Sequence, residues 1–280
     1  MSGGADSTAL VALAIASGCV VTAVHVDHGL RTGSVEEADL VAATCARLGA
    51  AFRRESVDVT PGPNLEARSR AARYAVLPPD VLTGHTADDQ AETVLLNVLR
   101  GAAGSGLAGM RPGFRRPLLA VRRAETVALC RDLGLDVVDD PSNRDLRFAR
   151  NRIRHRVLPL LAETSERDLV PVLCRQADII RDDTDLLDEL AALLDPTDAR
   201  AVASAPVSLA RRAIRGWLTE LDQHRHPPDL ATVARVLDVA AGTAIACEIS
   251  GARRVQRHHQ RLSIVPDLSE SPTRNSERPG

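Results

Sequence analysis

Apolar runs alternate with polar, glycine-containing turns along the first part of the chain. Residues 9–17 form a short apolar segment that is typical of a helix and ends at Gly18, and residues 19–26 (CVVTAVHV) form a nearly continuous β-branched run. Such a run is typical of a strand covered on both faces of a parallel sheet. The same alternation continues with predicted helices at 35–48, 65–77 and 87–100 and predicted strands at 51–57 and 81–83. It predicts an α/β fold with a doubly wound parallel sheet, whose ligands lie at the carboxyl ends of the strands.

The pattern changes after a helix predicted at 122–133. Beyond Pro159 it predicts helices only, at 168–194, 207–221 and 229–241, followed by a small meander formed from segments within 243–265. A domain boundary is therefore expected near 160–165, with a second, mainly helical C-terminal domain after it. The polar, proline-containing segment from 266 to 280 is predicted to be a disordered tail.

The first residues, Ser-Gly-Gly-Ala-Asp-Ser at 2–7, lie directly before the first predicted helix. Two glycines permit a turn that directs several N–H groups to one point, and a helix N-terminus attracts anions. The loop is not a Walker A motif, because all 35 basic residues of the chain are arginine. Asp6 would repel phosphates unless a divalent cation, by ligand preference Mg²⁺, lay between them. Only Met1 precedes Ser2, so the strand expected before the loop is missing from the sequence, either because the true start lies upstream, which we favour, or because the strand is absent.

A second polar segment, Gly84 to Thr93, opens the helix predicted at 87–100. Thr86 can cap this helix, and acidic side chains in its first turn are favoured by the helix dipole. Alternatively, Asp88, Asp89 and Glu92 converge on a metal or an ammonium group. The glycine-rich residues 101–110 that follow predict a mobile loop, either a lid or a linker.

Composition limits the kinds of partner. The formal net charge is −2, so nucleic-acid binding would depend on local arginine clusters such as residues 144–156, which otherwise form a solvated helix face. Only five aromatic residues are present, which argues against a base-stacking platform. Five widely spaced cysteines without a CxxC motif indicate buried thiols in a reducing cytoplasm. No apolar run reaches the ~18 residues that a membrane span needs.

The segment SGGADS resembles the loop of the N-type ATP pyrophosphatases, the PP-loop superfamily. Together with further motifs in the same order, it makes the chain resemble the tRNA(Ile)-lysidine synthetase family from residue 2 to about residue 160. These motifs are HVDHGLR (25–31), GHTADDQAET (84–93), GLAGM (106–110), RPLL (116–119), DDPSN (139–143) and RNRIR (150–154). The resemblance implies an ATP pyrophosphatase catalytic domain at 1–160 and a helical tRNA-binding domain with a small meander at 161–265.

The resemblance also implies a reaction and its partners. The family adenylates C2 of the wobble cytidine in the CAU anticodon of isoleucine tRNA, and free lysine then displaces AMP, which changes codon reading from AUG to AUA. ATP and Mg²⁺ are the implied cofactors, and the enzyme is expected to be cytoplasmic, with a homodimer left open. The residues expected to bind ATP are Ser2, Gly3, Gly4, Ala5, Asp6, Ser7, Asp27 and His28.

Catalytic and tRNA-binding residues are expected on the same grounds. Asp6 is expected to bind Mg²⁺, Asp88 or Asp89 to bind the metal or the lysine ammonium, and His85 or Arg100 to stabilise charge near the α-phosphate. The arginines expected to contact tRNA are Arg68, Arg73, Arg150, Arg152 and Arg154.

Three other functions are compatible with a loop of this kind. A tRNA-thiolating enzyme would need a sulfur-carrying cysteine or iron–sulfur ligands, which the scattered cysteines do not supply. An amide-forming or ammonia-using ligase would not share the RNRIR and GLAGM segments. A degenerate RNA-binding remnant would be non-enzymatic, and an encoded strand upstream of Met1 would argue against it.

Overall fold

The computed structural model describes residues 1–27, 34–58, 62, 65–222 and 225–266. The chain divides into two compact units, residues 1–181 and 182–280. The helices of the first unit are α1 (Ala5–Ala16), α2 (Ser34–Leu48), α3 (Leu65–Val76), α4 (Ala87–Leu99), α5 (Gly104–Leu107), α6 (Arg123–Asp132), α7 (Ala149–Arg152) and α8 (Leu158–Ser165), with a 3₁₀ turn at Pro141–Arg144 and a π-helical turn at Ile153–Val157. Helix α9 (Val170–Ala192) contains the division between the units.

The first unit contains a parallel pair of strands. Strands β1 (Thr22–Asp27) and β2 (Ala51–Ser56) pair in register from Thr22 opposite Ala51 to Asp27 opposite Ser56. Helix α2 is the crossover between them, which confirms the predicted β-α alternation and parallel pairing. Apolar side chains of α1, β1 and α2 form the core beside the pair, because both strand faces need cover from helices.

The start of the chain lies against β1. The Met1 amino group donates a hydrogen bond to the Val24 carbonyl oxygen, and the Met1 carbonyl oxygen lies 3.0 Å from Nδ1 of the buried His25. The residues that follow Met1 therefore begin beside the carboxyl-terminal half of β1. This contact places the loop at 2–7 at the edge where ligands of parallel sheets are expected.

The strand predicted at 81–83 is not formed. Within the described residues of this unit, the only paired strands are β1 and β2, and residues 81–86 are an extended connection to α4. The Thr83 N–H donates to the Arg115 carbonyl oxygen at 2.9 Å, so this segment has a backbone partner that belongs to a loop. A short apolar run does not distinguish a ladder strand from an extended connection.

The glycine-rich residues 101–110 are held in place by the helices around them. Asn97 Nδ2 donates to the Gly106 carbonyl oxygen at 2.7 Å, and the buried amide of Gln90 exchanges two hydrogen bonds with the Met110 backbone, at 2.8 and 3.0 Å. The buried guanidinium of Arg181 also donates to the Met110 carbonyl oxygen at 3.1 Å. This segment contains α5 and is held by hydrogen bonds at several points, and its mobility, as a lid or a linker, stays a prediction.

The division inside α9 comes later in the chain than the boundary expected at 160–165. Val170, Leu173 and Cys174, in the first turns of α9, pack against Ala87 and Ala91 of α4. Because these contacts bury apolar surface, the start of α9 belongs to the first unit.

In its described residues, the second unit combines the end of α9 and three further helices with a small antiparallel sheet. Its helices are α10 (Ala199–Ser204), α11 (Val207–Glu220) and α12 (Leu230–Ala241), and its strands are β3 (Ala246–Ile249), β4 (Arg253–His258) and β5 (Arg261–Pro266) in the order β3-β4-β5. Its core includes the fully buried Ile214, Val236 and Val255. The tail predicted from 266 onward lies outside the described residues after Pro266. Among the described helices, none is long and apolar enough to cross a membrane.

The cysteines differ in their exposure. Cys45 and Cys130 are buried and Cys174 and Cys247 are partly buried, whereas Cys19 is exposed between α1 and β1. Burial raises the pKa of the Cys45, Cys130 and Cys247 thiols and raises that of Cys174 to about 11. The expectation of buried thiols therefore fails at Cys19.

Alkylation of the folded protein by iodoacetamide at pH 8 should modify Cys19 well before the other four cysteines. The thiolate is the nucleophile, and raised pKa values keep the other thiols protonated at this pH. Peptide mass spectrometry after timed quenching measures each site, and the urea-unfolded protein, in which all five should react at similar rates, is the control. Modification of Cys174 as fast as Cys19 would contradict the described burial.

Candidate active site

The loop at 2–7 is shaped by two glycines. Gly3 has φ +82°, and a Cβ there would lie 2.5 Å from Cγ2 of Val138, so only glycine fits. The Val138 N–H donates to the Gly3 carbonyl oxygen at 2.9 Å and holds the turn. Gly4 is the N-cap of α1 and offers no side-chain acceptor to the first turn of the helix. First-turn N–H groups point out of a helix, so this end can bind an anion.

Two serine hydroxyls stand together at this loop. The Ser2 N–H donates to Ser7 Oγ at 3.2 Å, and the two hydroxyl oxygens are also 3.2 Å apart. Ser7 Oγ donates to the Gly4 carbonyl oxygen at 3.0 Å, which fixes its position over the turn. The loop therefore combines the N–H groups of a helix N-terminus with two hydroxyls, all of which are groups that hydrogen-bond phosphate oxygens.

A third glycine brings the start of α4 to the loop. A Cβ at Gly84 would lie 2.7 Å from the carbonyl oxygen of Asp6 and 3.1 Å from the Ser7 nitrogen. Only a glycine permits the two backbones to approach this closely. The close approach places Asp88, Asp89 and Glu92 on the same side of the unit as Asp6.

Asp89 combines the two interpretations of the acidic helix start. Its Oδ2 accepts hydrogen bonds from the Thr86 N–H at 2.9 Å and from the Thr86 hydroxyl at 3.0 Å, as a capping residue does. Its Oδ1 accepts from Nη2 of Arg123 at 2.8 Å. One carboxylate oxygen thus stabilises α4, and the other faces the group of side chains around Arg123.

Arg123, the first residue of α6, joins three carboxylates from different parts of the chain. Its Nε lies 3.1 Å from Asp6 Oδ2, its Nη2 2.8 Å from Asp89 Oδ1 and its Nη1 3.1 Å from Glu92 Oε1. Thr126, one turn further along α6, donates its hydroxyl to the other oxygen of Asp6. We call Asp6, Asp89, Glu92 and Arg123 the Arg123 cluster.

Glu92 is the most deeply buried member, with its carboxylate inaccessible to solvent. Besides Arg123 it binds Arg154 in a fork, with Nε at 2.6 Å and Nη2 at 3.0 Å. Arg154 belongs to the π-helical turn Ile153–Val157, a conformation that often occurs at functional sites. A buried carboxylate is tolerated only when it is paired in this way.

Asp88 faces a different partner. Its oxygens accept from Nε and Nη2 of Arg122 at 3.1 and 3.2 Å and from the Arg123 N–H at 2.7 Å. The Asp88 carboxylate therefore holds the N-terminus of α6 in place and keeps Arg123 beside Asp6.

Neighbouring arginines and hydrogen-bond donors keep Asp88 and Asp89 ionised. Burial would raise the pKa of Asp89, but the charge of Arg123 and the hydrogen bonds from Thr86 outweigh it and hold the pKa below its usual value. The pKa of Asp88 is lowered in the same way, because the hydrogen bonds from Arg122 and Arg123 outweigh burial. Both carboxylates are negatively charged at neutral pH.

Comparisons with known proteins identify the family. The family model described as a PP-loop domain matches residues 1–161. The tRNA(Ile)-lysidine synthase of Nocardia farcinica is 45% identical over 236 residues, which cover 79% of this chain and 74% of that protein. The Mycobacterium leprae tRNA(Ile)-lysidine synthase is 44% identical over 237 residues, which cover 78% and 73%.

The chain belongs to the tRNA(Ile)-lysidine synthase family. Its fold is also similar to that of the U34-tRNA thiolase NcsA from Methanococcus maripaludis, solved with its [4Fe-4S] cluster. That likeness has a TM-score of 0.52 at 18% identity and covers 65% of this chain and 71% of the thiolase. The doubly wound α/β class expected for the first domain is confirmed.

The other residues that the family resemblance indicated lie at several places. Asp27, at the end of β1, is buried and binds Nη2 of Arg54 at 2.7 Å, whereas His28 lies outside the described residues. Nδ1 of His85 lies 2.8 Å from the Thr83 hydroxyl, in the connection that leads to α4. Arg100 is the C-cap of α4, at the opposite end from Asp88. A helix of this length spans about 20 Å, so the structure does not bring Arg100 to the Arg123 cluster.

The five arginines expected to contact tRNA divide into two groups. Arg154 is directed inward to Glu92, and Nη2 of Arg150 donates to the Thr93 hydroxyl at 3.0 Å. Arg152 is exposed, and its Nη1 donates to the carbonyl oxygens of residues 146 and 147 at 2.8 Å. On α3, Arg68 is exposed and the Arg73 guanidinium lies 5.4 Å from the Tyr74 ring centre.

Sequence reasoning missed Arg122, Arg123 and Thr126. A signal for the arginines was present, because Arg122 and Arg123 stand at the N-terminus of a predicted helix. The helix dipole disfavours cations at that end, so adjacent arginines there indicate carboxylate partners elsewhere in the chain. The sequence could not identify those partners, since Asp88 and Glu92 are more than thirty residues away.

Replacing Glu92 with alanine should destabilise the protein by about 3–5 kcal/mol, because Arg123 and Arg154 would lose a buried partner. The free energy of unfolding in urea, followed by circular dichroism, measures this effect. Asp132→Ala, which removes an exposed partner of the exposed Arg131, is the matched control and should change stability little. Equal stability of Glu92→Ala and wild type would disprove the importance of the pairing.

Proposed function

We propose that this chain is a tRNA(Ile)-lysidine synthase, which uses ATP to join free lysine to C2 of the wobble cytidine in the CAU anticodon of isoleucine tRNA. Family membership supports the reaction. The observation that carries the assignment of residues is the close approach of Gly84 to Asp6, which sets the amide-rich loop at 2–7 beside the Arg123 cluster. A nucleotide triphosphate needs both an anion-binding loop and groups that organise its cation.

The proposed reaction has two steps, adenylation of the cytidine and displacement of AMP by lysine. The C2 oxygen of the cytidine attacks the α-phosphorus of ATP, and pyrophosphate leaves. The lysine amine then attacks C2, the carbon–oxygen bond breaks, AMP leaves with that oxygen, and the amine loses a proton. Adenylation turns a poor leaving group into a good one, so the protein mainly positions the reactants and neutralises charge.

The loop is suited to hold the pyrophosphate part of ATP. We assign this role to the amides of Gly3, Gly4 and Ala5 together with the hydroxyls of Ser2 and Ser7. The conformation of Gly3 supports the assignment, because its φ of +82° forms the turn and its packing against the Val138 and Val41 side chains holds that turn in place. We assign Asp27, at the neighbouring strand end, to the border of the adenosine site.

Asp6 has the chemistry expected of a Mg²⁺ ligand. Mg²⁺ is usually bound by one or two carboxylates together with substrate phosphates, not by an all-protein cage. This agrees with the described residues, which contain no group of three acidic, histidine or cysteine side chains that could hold a metal by themselves. Asp6 would hold Mg²⁺ together with the phosphates, and the cation would neutralise their charge.

Lysine and the α-phosphate are assigned to groups near this cluster. We assign the lysine ammonium to Asp89, whose Oδ1 faces the cluster and would exchange Arg123 for the ammonium, and leave Asp88 with Arg122 and the Arg123 N–H. His85 and Arg123 are the groups close enough to Asp89 to stabilise charge near the α-phosphate. Arg68, Arg73 and Arg152 are assigned to tRNA, and Arg150 and Arg154 to positioning α4. Five free thiols fit a reducing cytoplasm.

A thiolase-like activity receives no support from the side chains. The thiolase with the similar fold carries a [4Fe-4S] cluster, which is usually held by cysteine thiolates. The five cysteines of this chain, all within the described residues, form no such group. The shared fold therefore does not extend to a cluster site.

Incubating the protein with ATP, Mg²⁺, radiolabelled lysine and isoleucine tRNA with a CAU anticodon should produce labelled lysidine. Nucleoside analysis of the digested tRNA by chromatography and mass spectrometry detects it. Asp6→Ala should reduce formation by at least about a hundredfold, since the phosphates would lose their metal-bound neutralisation. An unmodified cytidine with the wild-type protein would refute the proposed function, and full activity of Asp6→Ala would refute the role of Asp6.

Arg152→Ala should weaken tRNA binding and make its salt dependence shallower by about one unit in the log–log slope, while ATP binding stays unchanged. Filter binding at a series of salt concentrations measures the slope. Arg131→Ala removes the same charge from an exposed position on α6 and is the control. A wild-type slope for Arg152→Ala would remove Arg152 from the tRNA surface.

A further inference from the structure

Arg123 stands where the proposed function requires a divalent cation. Its guanidinium contacts Asp6, Asp89 and Glu92 at 2.8–3.1 Å, using a different nitrogen for each. Asp6 is the residue to which we assign Mg²⁺. A cation that binds Asp6 must therefore compete with a guanidinium that is already paired with the same carboxylate.

This competition is strong because the cluster is shielded from solvent. The side chain of Glu92 is 0% exposed, that of Asp89 12% and that of Arg123 24%. Charges in such surroundings interact more strongly than exposed pairs, which water and salt screen. Within the cluster, Asp6 contacts the Arg123 guanidinium through its Nε, and the Thr126 hydroxyl also donates a hydrogen bond to Asp6.

The other contacts in the cluster allow Arg123 to leave without stranding a buried charge. Glu92 keeps the bidentate pairing with Arg154, and Asp89 keeps two hydrogen bonds from Thr86. Asp6 keeps the hydroxyl of Thr126. A planar guanidinium also binds phosphate oxygens well, so a triphosphate in the loop offers Arg123 an alternative partner.

We propose that Arg123 blocks the cation site at Asp6 and releases it in exchange for the triphosphate. Resting on the proposed ATP-dependent function, this makes nucleotide binding the event that admits Mg²⁺ to Asp6. The free protein then binds divalent cations weakly, and the metal enters together with ATP. Arg123 thus makes the binding of Mg²⁺ depend on the binding of ATP, because Arg123 and the cation compete for the carboxylate of Asp6.

A purely structural role for Arg123 predicts the opposite sign. If Arg123 only held the carboxylates in place, its removal would disorder them and weaken cation binding. If Arg123 competes with the cation, its removal leaves Asp6, Asp89 and Glu92 with one positive charge fewer and strengthens cation binding. The sign of the change in affinity separates the two roles.

The test measures Mn²⁺ binding to the protein without nucleotide, by electron paramagnetic resonance of free Mn²⁺. Arg123→Ala should bind Mn²⁺ at least about tenfold more tightly than wild type. Arg131→Ala, on the same helix and with the same loss of charge, should bind as wild type does. Arg123→Lys keeps the charge and should stay closer to wild type than Arg123→Ala. Unchanged or weaker Mn²⁺ binding by folded Arg123→Ala overturns the proposal.

Two further measurements keep the outcomes separate. If Arg123→Ala does not fold by circular dichroism, Arg123→Gln, which keeps hydrogen-bond donors without the charge, replaces it with the same expected result. Lysidine formation by the wild type tests the proposed function independently. Lysidine formation combined with unchanged Mn²⁺ binding by the variant refutes only the role of Arg123, and tighter Mn²⁺ binding without lysidine formation refutes only the proposed function.

Discussion

The buried carboxylate of Glu92 is the constraint around which the first unit is arranged. A solvent-inaccessible negative charge is costly unless it is paired, and here Arg123 and Arg154 donate hydrogen bonds to it from different elements, with Nε of Arg150 at 3.7 Å. Three parts of the chain therefore have to meet: α4, the start of α6 and the π-helical turn at 153–157. If the start of α6 or the π-helical turn is displaced, the Glu92 carboxylate loses part of the positive charge that balances it.

This constraint explains why structural and functional features lie so close together. Asp89 caps α4 with one oxygen and contacts Arg123 with the other, and Asp88 fixes the start of α6. The groups that hold the helices are the same groups that face the loop at 2–7. Rigid elements support an active site well, because the reacting groups must be held at a defined distance. The fold and the proposed site therefore depend on one set of ion pairs.

The two comparisons describe different properties of the molecule. Membership of the tRNA(Ile)-lysidine synthase family concerns its sequence relatives, whereas the likeness to the thiolase concerns only its fold. The overall fold is similar to that of a protein of only 18% identity, whereas curated relatives of 42–46% identity are lysidine synthases. A fold supports several chemistries, and side chains at its site decide among them. In this chain, those side chains are acidic and arginine residues without a cysteine cluster in the described part.

Local pattern determined most of the secondary structure. The β-branched run at 19–26 and the alternation after it predicted β1, α2 and β2 within a few residues, because periodicity and turn residues act over short distances. Glycine and serine at 2–7 indicated a phosphate loop for the same local reason. The sequence also indicated the family, through motifs whose order along the chain is preserved.

Only the tertiary structure decided which charged side chains meet. Arg154 and Arg152 stand two residues apart in one basic segment, yet one is directed inward to Glu92 and the other is exposed. Arg100 lies at the far end of α4, and Arg123, which the sequence left unnoticed, joins Asp6, Asp89 and Glu92. These pairings connect residues up to 117 positions apart. The energy of burying charge depends on the whole fold, so no local pattern encodes it.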